Sequence, residues 1–268
     1  MQKHISLIIL AVLTVFAVSC NNSKKADKQS ETLVFDRVVF DTTAYYSKNA
    51  EGPKCSISIK MDYAKGPNAH LINDSILKSG IFLDEELKRG EKKTVPRAID
   101  IVVKNHIKNF KKDVKELEKD GGDLEAMKEC YFGVETKVAY GRDSIINYTA
   151  RYDSYLGGAH GWYNSYALNF DPRTGKMIKL GDFVAEGAQD KVCELIVAKI
   201  CKDFNCQTED DLRDNEGIFG VFDPYVPENF VIGKDSVTFF YQCEEVGPYA
   251  VGEIVTKFSY AELEGLIK

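Results

Sequence analysis

The chain has 268 residues, of which 44% are hydrophobic and 28% charged, a composition typical of a folded globular protein. Its length allows one large domain or two modest ones and argues against an array of many small modules. The 35 Lys and Arg residues are outnumbered by 41 Asp and Glu residues, giving a formal charge of -6, and the basic residues form no long block. Nucleic acid is therefore not expected as a partner.

The N-terminus has the pattern of an export signal. Lys3 precedes an uncharged apolar run at residues 5–19, which is shorter than the about 20 residues that a membrane-spanning helix needs. The run ends in Ala17-Val18-Ser19-Cys20, which resembles a bacterial lipobox. This resemblance implies a signal peptide at residues 1–19 and lipidation of Cys20. The alternative is an ordinary cleaved signal peptide followed by an incidental cysteine.

The lipobox predicts where the protein resides. We expect it in the bacterial cell envelope, attached to the membrane through the N-terminal lipid, either at the outer membrane or on the periplasmic side of the inner membrane if the cell is Gram-negative. The polar residues 20–32 are predicted to be a flexible tether. Cleavage removes Lys3 and leaves 34 basic residues against 41 acidic ones, so the mature charge is near -7.

Six cysteines remain after Cys20. In an oxidising compartment they permit up to three disulfides, with 15 possible connectivities. The alternative is that several are buried free thiols. No two of them form a Cys-x-x-Cys pair, so zinc is not expected. They are Cys55, Cys130, Cys193, Cys201, Cys206 and Cys243.

The first half of the chain predicts strands around a helical segment. Residues 33–41 and 54–63 have the composition of strands, and the second alternates apolar and polar side chains. Apolar spacing predicts a helix at residues 69–87. Thr94 and Pro96 introduce a longer helix, which Gly121-Gly122 ends. A hairpin of residues 130–140 and 144–155 follows.

The second half repeats this kind of pattern. It predicts a hairpin of residues 160–170 and 176–180, then a helix at 187–204. Short strands follow at 229–233, 237–241 and 253–258, and a closing helix at 260–267. Runs of hairpins predict an α+β fold of two small domains, each an antiparallel sheet with helices packed on one face. We place these domains at residues 33–155 and 156–268, on either side of a boundary near Gly157-Gly158.

Two glycine-rich segments are the candidate binding elements. The first, residues 155–162, places His160 and the only tryptophan, Trp162, among three glycines. Glycines let a backbone approach a ligand closely, but they also suit a tight bend in which His160 stabilises a hydrogen-bond network. The second, residues 241–252, carries Tyr249 on a loop between strands. Tyr249 is the kind of side chain that anchors a partner, unless it closes the sheet edge.

The order of these segments resembles a known family. Between about residues 155 and 265 the chain resembles the RsiV-like domain of unknown function, which closes the extracellular part of the anti-sigma-V factor. The strand at 55–63 and the following helix with Asn73 resemble the domain that precedes it in that factor and in the deacetylase PdaC. The motifs that carry the main resemblance are Gly157-Gly158-Ala159-His160, Asn169-Phe170-Asp171, Thr174-Gly175-Lys176, Asp182-Phe183 and Pro248-Tyr249-Ala250.

The resemblance implies an extracytoplasmic two-domain α+β module, and the anti-sigma factor uses its version to bind lysozyme. The predicted function is a lipid-anchored envelope binding protein that recognises a lysozyme-like protein or a cell-wall glycan without catalysis, with His160, Trp162 and Tyr249 as the ligand-binding residues. The alternatives are a peptidoglycan-modifying deacetylase or hydrolase, an accessory to one, or a structural envelope protein. No nucleophile, metal or cofactor motif is found, so no catalytic residue, metal or cofactor is predicted.

Overall fold

Six strands form one sheet in the order in which they occur along the chain. The computed structural model describes residues 32–89 and 92–268. Each neighbouring pair of strands in this sheet is antiparallel except β2 and β3, which are parallel. The strands are β1 (Val34–Tyr45), β2 (Lys54–Lys65), β3 (Glu129–Tyr140), β4 (Ile146–Tyr155), β5 (Trp162–Phe170) and β6 (Met177–Ile178).

The parallel pair corrects one detail of the expected antiparallel sheets. The chain leaves β2, passes through the helices α1 (Ala69–Lys78), α2 (Glu85–Lys88) and α3 (Val95–Lys119), and returns to pair β3 beside β2. A helical crossover of this kind is what a parallel connection requires. The α+β class itself is confirmed, because two sheets are present with helices packed against them.

The helix expected at residues 69–87 is divided into two. Helix α1 ends at Lys78, and Gly80 then adopts a φ of +98°, which stops helix propagation. Asp84 is extended, and its carboxylate accepts hydrogen bonds from the backbone amides of Glu86 and Leu87. It therefore caps the separate short helix α2.

One face of the large sheet is covered and carries the first hydrophobic core. Alternate residues of β2 point inward, so Ile57, Ile59 and Met61 are almost fully buried. They pack with the apolar stripe of α3, which includes Val102 and Phe110. Burial of side chains of this size stabilises a fold by about 1.5 to 3 kcal/mol each. The opposite face of β1 to β4, by contrast, carries mostly exposed polar side chains.

A second, smaller sheet carries its own core. Its antiparallel strands are β7 (Phe230–Ile232), β8 (Ser236–Tyr241) and β9 (Ile254–Ser259). The helices that accompany it are α4 (Leu180–Phe183), α5 (Gln189–Asp203) and the short α6 (Glu209–Asp211). The apolar stripe of α5, with Val192, Ile196 and Ile200, packs with this sheet's buried side chains.

The prediction of a closing helix at residues 260–267 is wrong. These residues form a series of turns with hydrogen bonds between residues three apart, such as that from the Leu263 amide to the Tyr260 carbonyl. A segment of eight residues is too short to hold an α-helix by propensity alone. Gly265 has a φ of +75°, which is incompatible with a continuous helix.

Buried asparagines join the two sheets. The Asn169 side chain donates to the Phe230 carbonyl at 2.8 Å and accepts from the Ile232 amide at 3.0 Å, as a neighbouring strand would. Asn147 donates to the Ile232 carbonyl at 3.1 Å. A Cβ on Gly141 would lie 1.8 Å from that same carbonyl, so no other residue fits here. These contacts fix β7 against the large sheet.

The boundary predicted at residues 155 and 156 stays a prediction. It falls between β4 and β5, which pair along their length within one sheet. The buried hydrophobic side chains divide into the two cores further along, between Phe170 and Leu180.

Candidate ligand-binding site

The two segments singled out in the sequence meet in space. The His160 and Tyr249 rings stack with their centroids 3.8 Å apart and an interplanar angle of 28°. The Tyr249 hydroxyl donates a hydrogen bond of 2.9 Å to the Gly161 carbonyl, which also lies 3.1 Å from His160 Nδ1. The loop after β8 is thereby attached to the loop before β5.

Trp162 completes this group. Its ring centroid lies 6.4 Å from that of His160, and 46% of the residue is exposed. The structure thus brings together all three residues that the sequence predicted for ligand binding. We define the aromatic cluster as His160, Trp162, Tyr249 and the neighbouring Tyr163. Tyr163 meets Tyr249 edge to face, at 6.3 Å between centroids.

Backbone geometry positions the aromatic cluster. Tyr249 lies in a 3-10 turn, Tyr249–Val251, between β8 and β9. The start of this loop is fixed because the Cys243 amide donates to the Asn164 side chain on β5 at 2.9 Å. A Cβ on Gly161 would lie 2.8 Å from the Ser154 carbonyl, so this glycine allows the turn into β5 to pass close to β4. The aromatic cluster therefore combines residues at the start of β5, in the large sheet, with a residue of the loop between β8 and β9, in the small sheet.

An ion pair between Arg151 and Glu253 contacts the Tyr163 ring of the aromatic cluster. The Arg151 guanidinium lies over the Tyr163 ring at 4.7 Å and 3.5 Å from a Glu253 carboxylate oxygen. The other carboxylate oxygen of Glu253 is buried without a hydrogen-bond partner in the described part of the chain. A cation over a tyrosine face and an adjacent carboxylate hold the ring in one orientation. Burial raises the pKa of the Tyr163 phenol and of the Cys243 thiol.

Sequence reasoning missed Tyr163, Arg151 and Glu253. Tyr163 alone had a signal, because it follows Trp162 directly in the glycine-rich segment. Arg151 and Glu253 lie about a hundred residues apart and meet only because β4, β5 and the loop before β9 converge. No local spacing could have joined them.

The remaining predictions concern the cysteines and metal binding. Cys20 and the signal peptide lie outside the described residues and stay predictions. All six remaining cysteines are free thiols in the structure. Cys55 and Cys130 are direct partners on β2 and β3, and burial raises their thiol pKa values to about 12 and about 11. Within the described residues no three His, Cys, Asp or Glu side chains are placed to hold a metal ion.

A larger cleft, of about 1000 Å³, runs along α5 and is lined by Cys193, Cys201 and Cys206. It has one aromatic side chain, Tyr225, whose hydroxyl is bonded to Glu245 at 2.6 Å. Burial and this carboxylate raise the pKa of Tyr225. Among the described residues, the lining of this cleft contains no tryptophan and no arginine, whereas the aromatic cluster has both beside its tyrosines.

Comparison with known proteins assigns a domain and a fold. Residues 181–261 match the model of a family described as protein of unknown function, DUF3298. The matched residues include Tyr249. The match begins after His160 and Trp162, so it does not include them. No curated protein matches the chain.

Two solved structures resemble the whole molecule. A DUF3298 family member from Bacteroides fragilis NCTC 9343 has a TM-score of 0.72 and 24% identity, covering 90% of this chain and 96% of that one. A DUF3298 family protein from Pseudomonas aeruginosa PAO1 has a TM-score of 0.58 and 18% identity, with 88% and 94% covered. At these identities the likeness concerns the fold. No helix in the described ranges is long and apolar enough to cross a membrane.

Proposed function

We propose that this chain is an exported, lipid-anchored protein of the bacterial envelope that binds a lysozyme-like protein or a cell-wall glycan without catalysis. The observation that carries the proposal is the aromatic cluster, in which an exposed tryptophan adjoins a histidine and a tyrosine held in fixed positions. The RsiV-like and PdaC-type resemblances support it as analogies of sequence.

The aromatic cluster has the properties of a recognition site. Tryptophan, tyrosine and arginine supply most of the free energy at binding hot spots, and all three types occur here. The Tyr249 hydrogen bond and the Arg151 contact restrict two of the rings before a ligand arrives. Such preorganisation lowers the conformational entropy that binding would otherwise cost.

Net charge supports a basic protein as one ligand class. The formal charge of the chain is -6, and removal of the predicted signal peptide makes it one unit more negative. Opposite net charges raise the association rate and make it sensitive to ionic strength. A basic protein ligand would therefore bind more slowly as the salt concentration rises, whereas a neutral glycan would show no such dependence on salt.

The test compares Trp162→Ala with Tyr140→Ala, which removes an aromatic side chain that is 52% exposed at the end of β3. We expect Trp162→Ala to weaken binding of lysozyme, or of solubilised peptidoglycan strands, by about 1 to 3 kcal/mol in calorimetric titration. The control should bind like the wild type. Absence of binding to both ligands, or turnover of the peptidoglycan strands, would contradict the proposal.

Membrane attachment is tested separately. Cys20→Ala should move the protein from the membrane fraction to the soluble fraction, because the N-terminal lipid is the only strong attachment predicted. Full membrane retention of this variant would remove the lipid anchor from the proposal.

A further inference from the structure

The exposed face of the large sheet contains a trough that the sequence did not indicate. It has a volume of about 580 Å³ and crosses β1, β2, β3 and β4. At a strand spacing of about 4.8 Å, four strands span about 14 Å. We define the trough by six of its lining residues, which are Asp41, Thr43, Ser58, Tyr131, Gly133 and Asp153.

Strand register builds the floor of the trough. Asp41 pairs with Ser58, Ser58 with Gly133, and Gly133 with Asp153, so these residues form one row across four strands. The two central positions are small. A Cβ on Gly133 would lie 3.0 Å from the Asp153 carboxylate, so any side chain there would reduce the open space.

The rows on either side form walls of different chemistry. On one side Tyr131 is 39% exposed and stacks with Tyr155 at 6.4 Å between centroids. On the other side Glu135 and Arg37 form an ion pair of 3.3 Å. The trough therefore has one aromatic wall and one charged wall.

The carboxylates of this face differ in whether they form an ion pair. Asp62, Glu129 and Glu135 each have a Lys or Arg partner within 4 Å. Asp41 and Asp153 have no such partner among the described residues. The two unpaired carboxylates are those at the ends of the trough floor, where they can accept hydrogen bonds from a ligand.

The trough continues into the aromatic cluster. Asp153 is the register partner of Tyr163, which meets Tyr249 edge to face. The Tyr131 hydroxyl lies close to Gly161, 3.2 Å from where a Cβ on that glycine would be. The Gly161 carbonyl in turn accepts from Tyr249. A ligand that extends from the trough can therefore reach Tyr163, the member of the aromatic cluster next to Asp153.

We propose that the trough binds a neutral, polyhydroxylated glycan chain, with a sugar ring against Tyr131 and hydroxyl groups donating to Asp41 and Asp153. The inference rests on the proposed function and deepens it, because it assigns the glycan to this face and extends it toward the aromatic cluster. Thr43 and Ser56 add a pair of hydroxyls 3.3 Å apart.

The trough presents hydrogen-bonding groups of both charges, which suits the hydroxyl groups of a glycan. Lys60 lies in the row beside the floor and has no acidic partner in the described ranges, and Arg37 lies beyond it. Lys60 therefore places an unpaired cation beside the two unpaired carboxylates, and it would repel a cationic chain at that point.

The experiment uses the full chain in detergent and three probes: chitotetraose, cellotetraose and an eight-residue Lys-Arg peptide. Gly133→Val fills the trough on the exposed side of β3, where a β-branched residue suits the strand. Its matched control is Ala139→Val, an exposed position on the same face of the same strand. Thermal melts verify that both variants fold. Asp41→Asn and Asp153→Asn serve as variants that keep the shape.

We expect wild type and Ala139→Val to bind at least one oligosaccharide equally, and Gly133→Val to bind it about tenfold or more weakly. Each Asp→Asn variant should bind it about threefold to tenfold more weakly. The trough assignment is overturned if both oligosaccharides fail to bind while lysozyme still binds through Trp162. It is also overturned if Gly133→Val affects the peptide alone. Failure of lysozyme, peptidoglycan strands and oligosaccharides together would instead remove the proposed function.

Discussion

The two faces of the six-stranded sheet are built from alternate residues of the same strands. One face is buried against helices, and the other is largely exposed. Phe132 of β3 points to the covered face, is 1% exposed, and stacks on His106 of α3 at 3.8 Å between centroids. The next residue, Gly133, points to the open face and forms the trough floor. Because Phe132 and Gly133 face opposite sides of the sheet, substitutions that change stability and substitutions that change the proposed binding should have separable effects.

The largest effect should come from the covered face. Phe132→Ala leaves a cavity beneath α3 and should lower the free energy of unfolding by about 3 to 5 kcal/mol, measured by urea denaturation. Ligand affinity of the folded fraction should stay unchanged. If this variant lost affinity while it kept its stability, the two faces would not be separate.

A second test concerns the junction of the two sheets. Asn169→Ala leaves the Phe230 carbonyl and the Ile232 amide without partners and should lower the free energy of unfolding by about 2 to 3 kcal/mol. Asn215→Ala, at an exposed asparagine, is the control and should change it little. Equal melting curves for both variants would mean that the buried amide does not hold the sheets together.

The pattern of burial on the covered face could be predicted from the sequence, whereas the pairing of the strands could not. Alternation identified β2, and three-and-four spacing identified α3, because burial of one face imposes both patterns. The same alternation suits parallel and antiparallel neighbours equally, so the pairing of β2 with β3 was not predictable. At the site, an unusual local composition revealed His160 and Trp162. The trough depends on register between strands distant in sequence, which no local pattern records.

Tyr249 lies where the open face meets the second sheet. Tyr249→Ala should weaken ligand binding by about 1 to 3 kcal/mol, because it removes the ring that supports His160. Tyr249→Phe keeps the ring and should retain most of the affinity. A stability loss of about 3 to 5 kcal/mol with unchanged affinity would instead assign Tyr249 a purely structural role.

The smallest effect is a pH dependence that originates on the covered face. Burial lowers the pKa of His106 below its ordinary value of 6.5. Below that pH the unfolded chain therefore binds more protons at this residue than the folded one. Its contribution to stability is full above about pH 6.5 and decreases as the pH falls toward the lower folded-state pKa.

Urea denaturation at pH 7.5 and 5.5 measures this contribution. His106→Phe, which keeps an aromatic ring against Phe132, should lose less stability on acidification than the wild type does. The exposed His70 serves as the control, and His70→Phe should follow the wild type. If His106→Phe has the wild-type pH dependence, burial of His106 does not contribute to acid sensitivity.

The parallel pairing of β2 with β3 also has a consequence for how the chain acquires its structure. Lys54 pairs with Glu129 and Cys55 with Cys130, residues 75 positions later in the chain. The β1–β2 hairpin can form early, but its inner edge stays open until the three helices and β3 have emerged. Contacts between residues so far apart slow folding, because loop closure precedes the gain from pairing. An unpaired edge of this kind is also a site for association with other chains. Until β3 pairs with it, the β2 edge is therefore open to association with other chains.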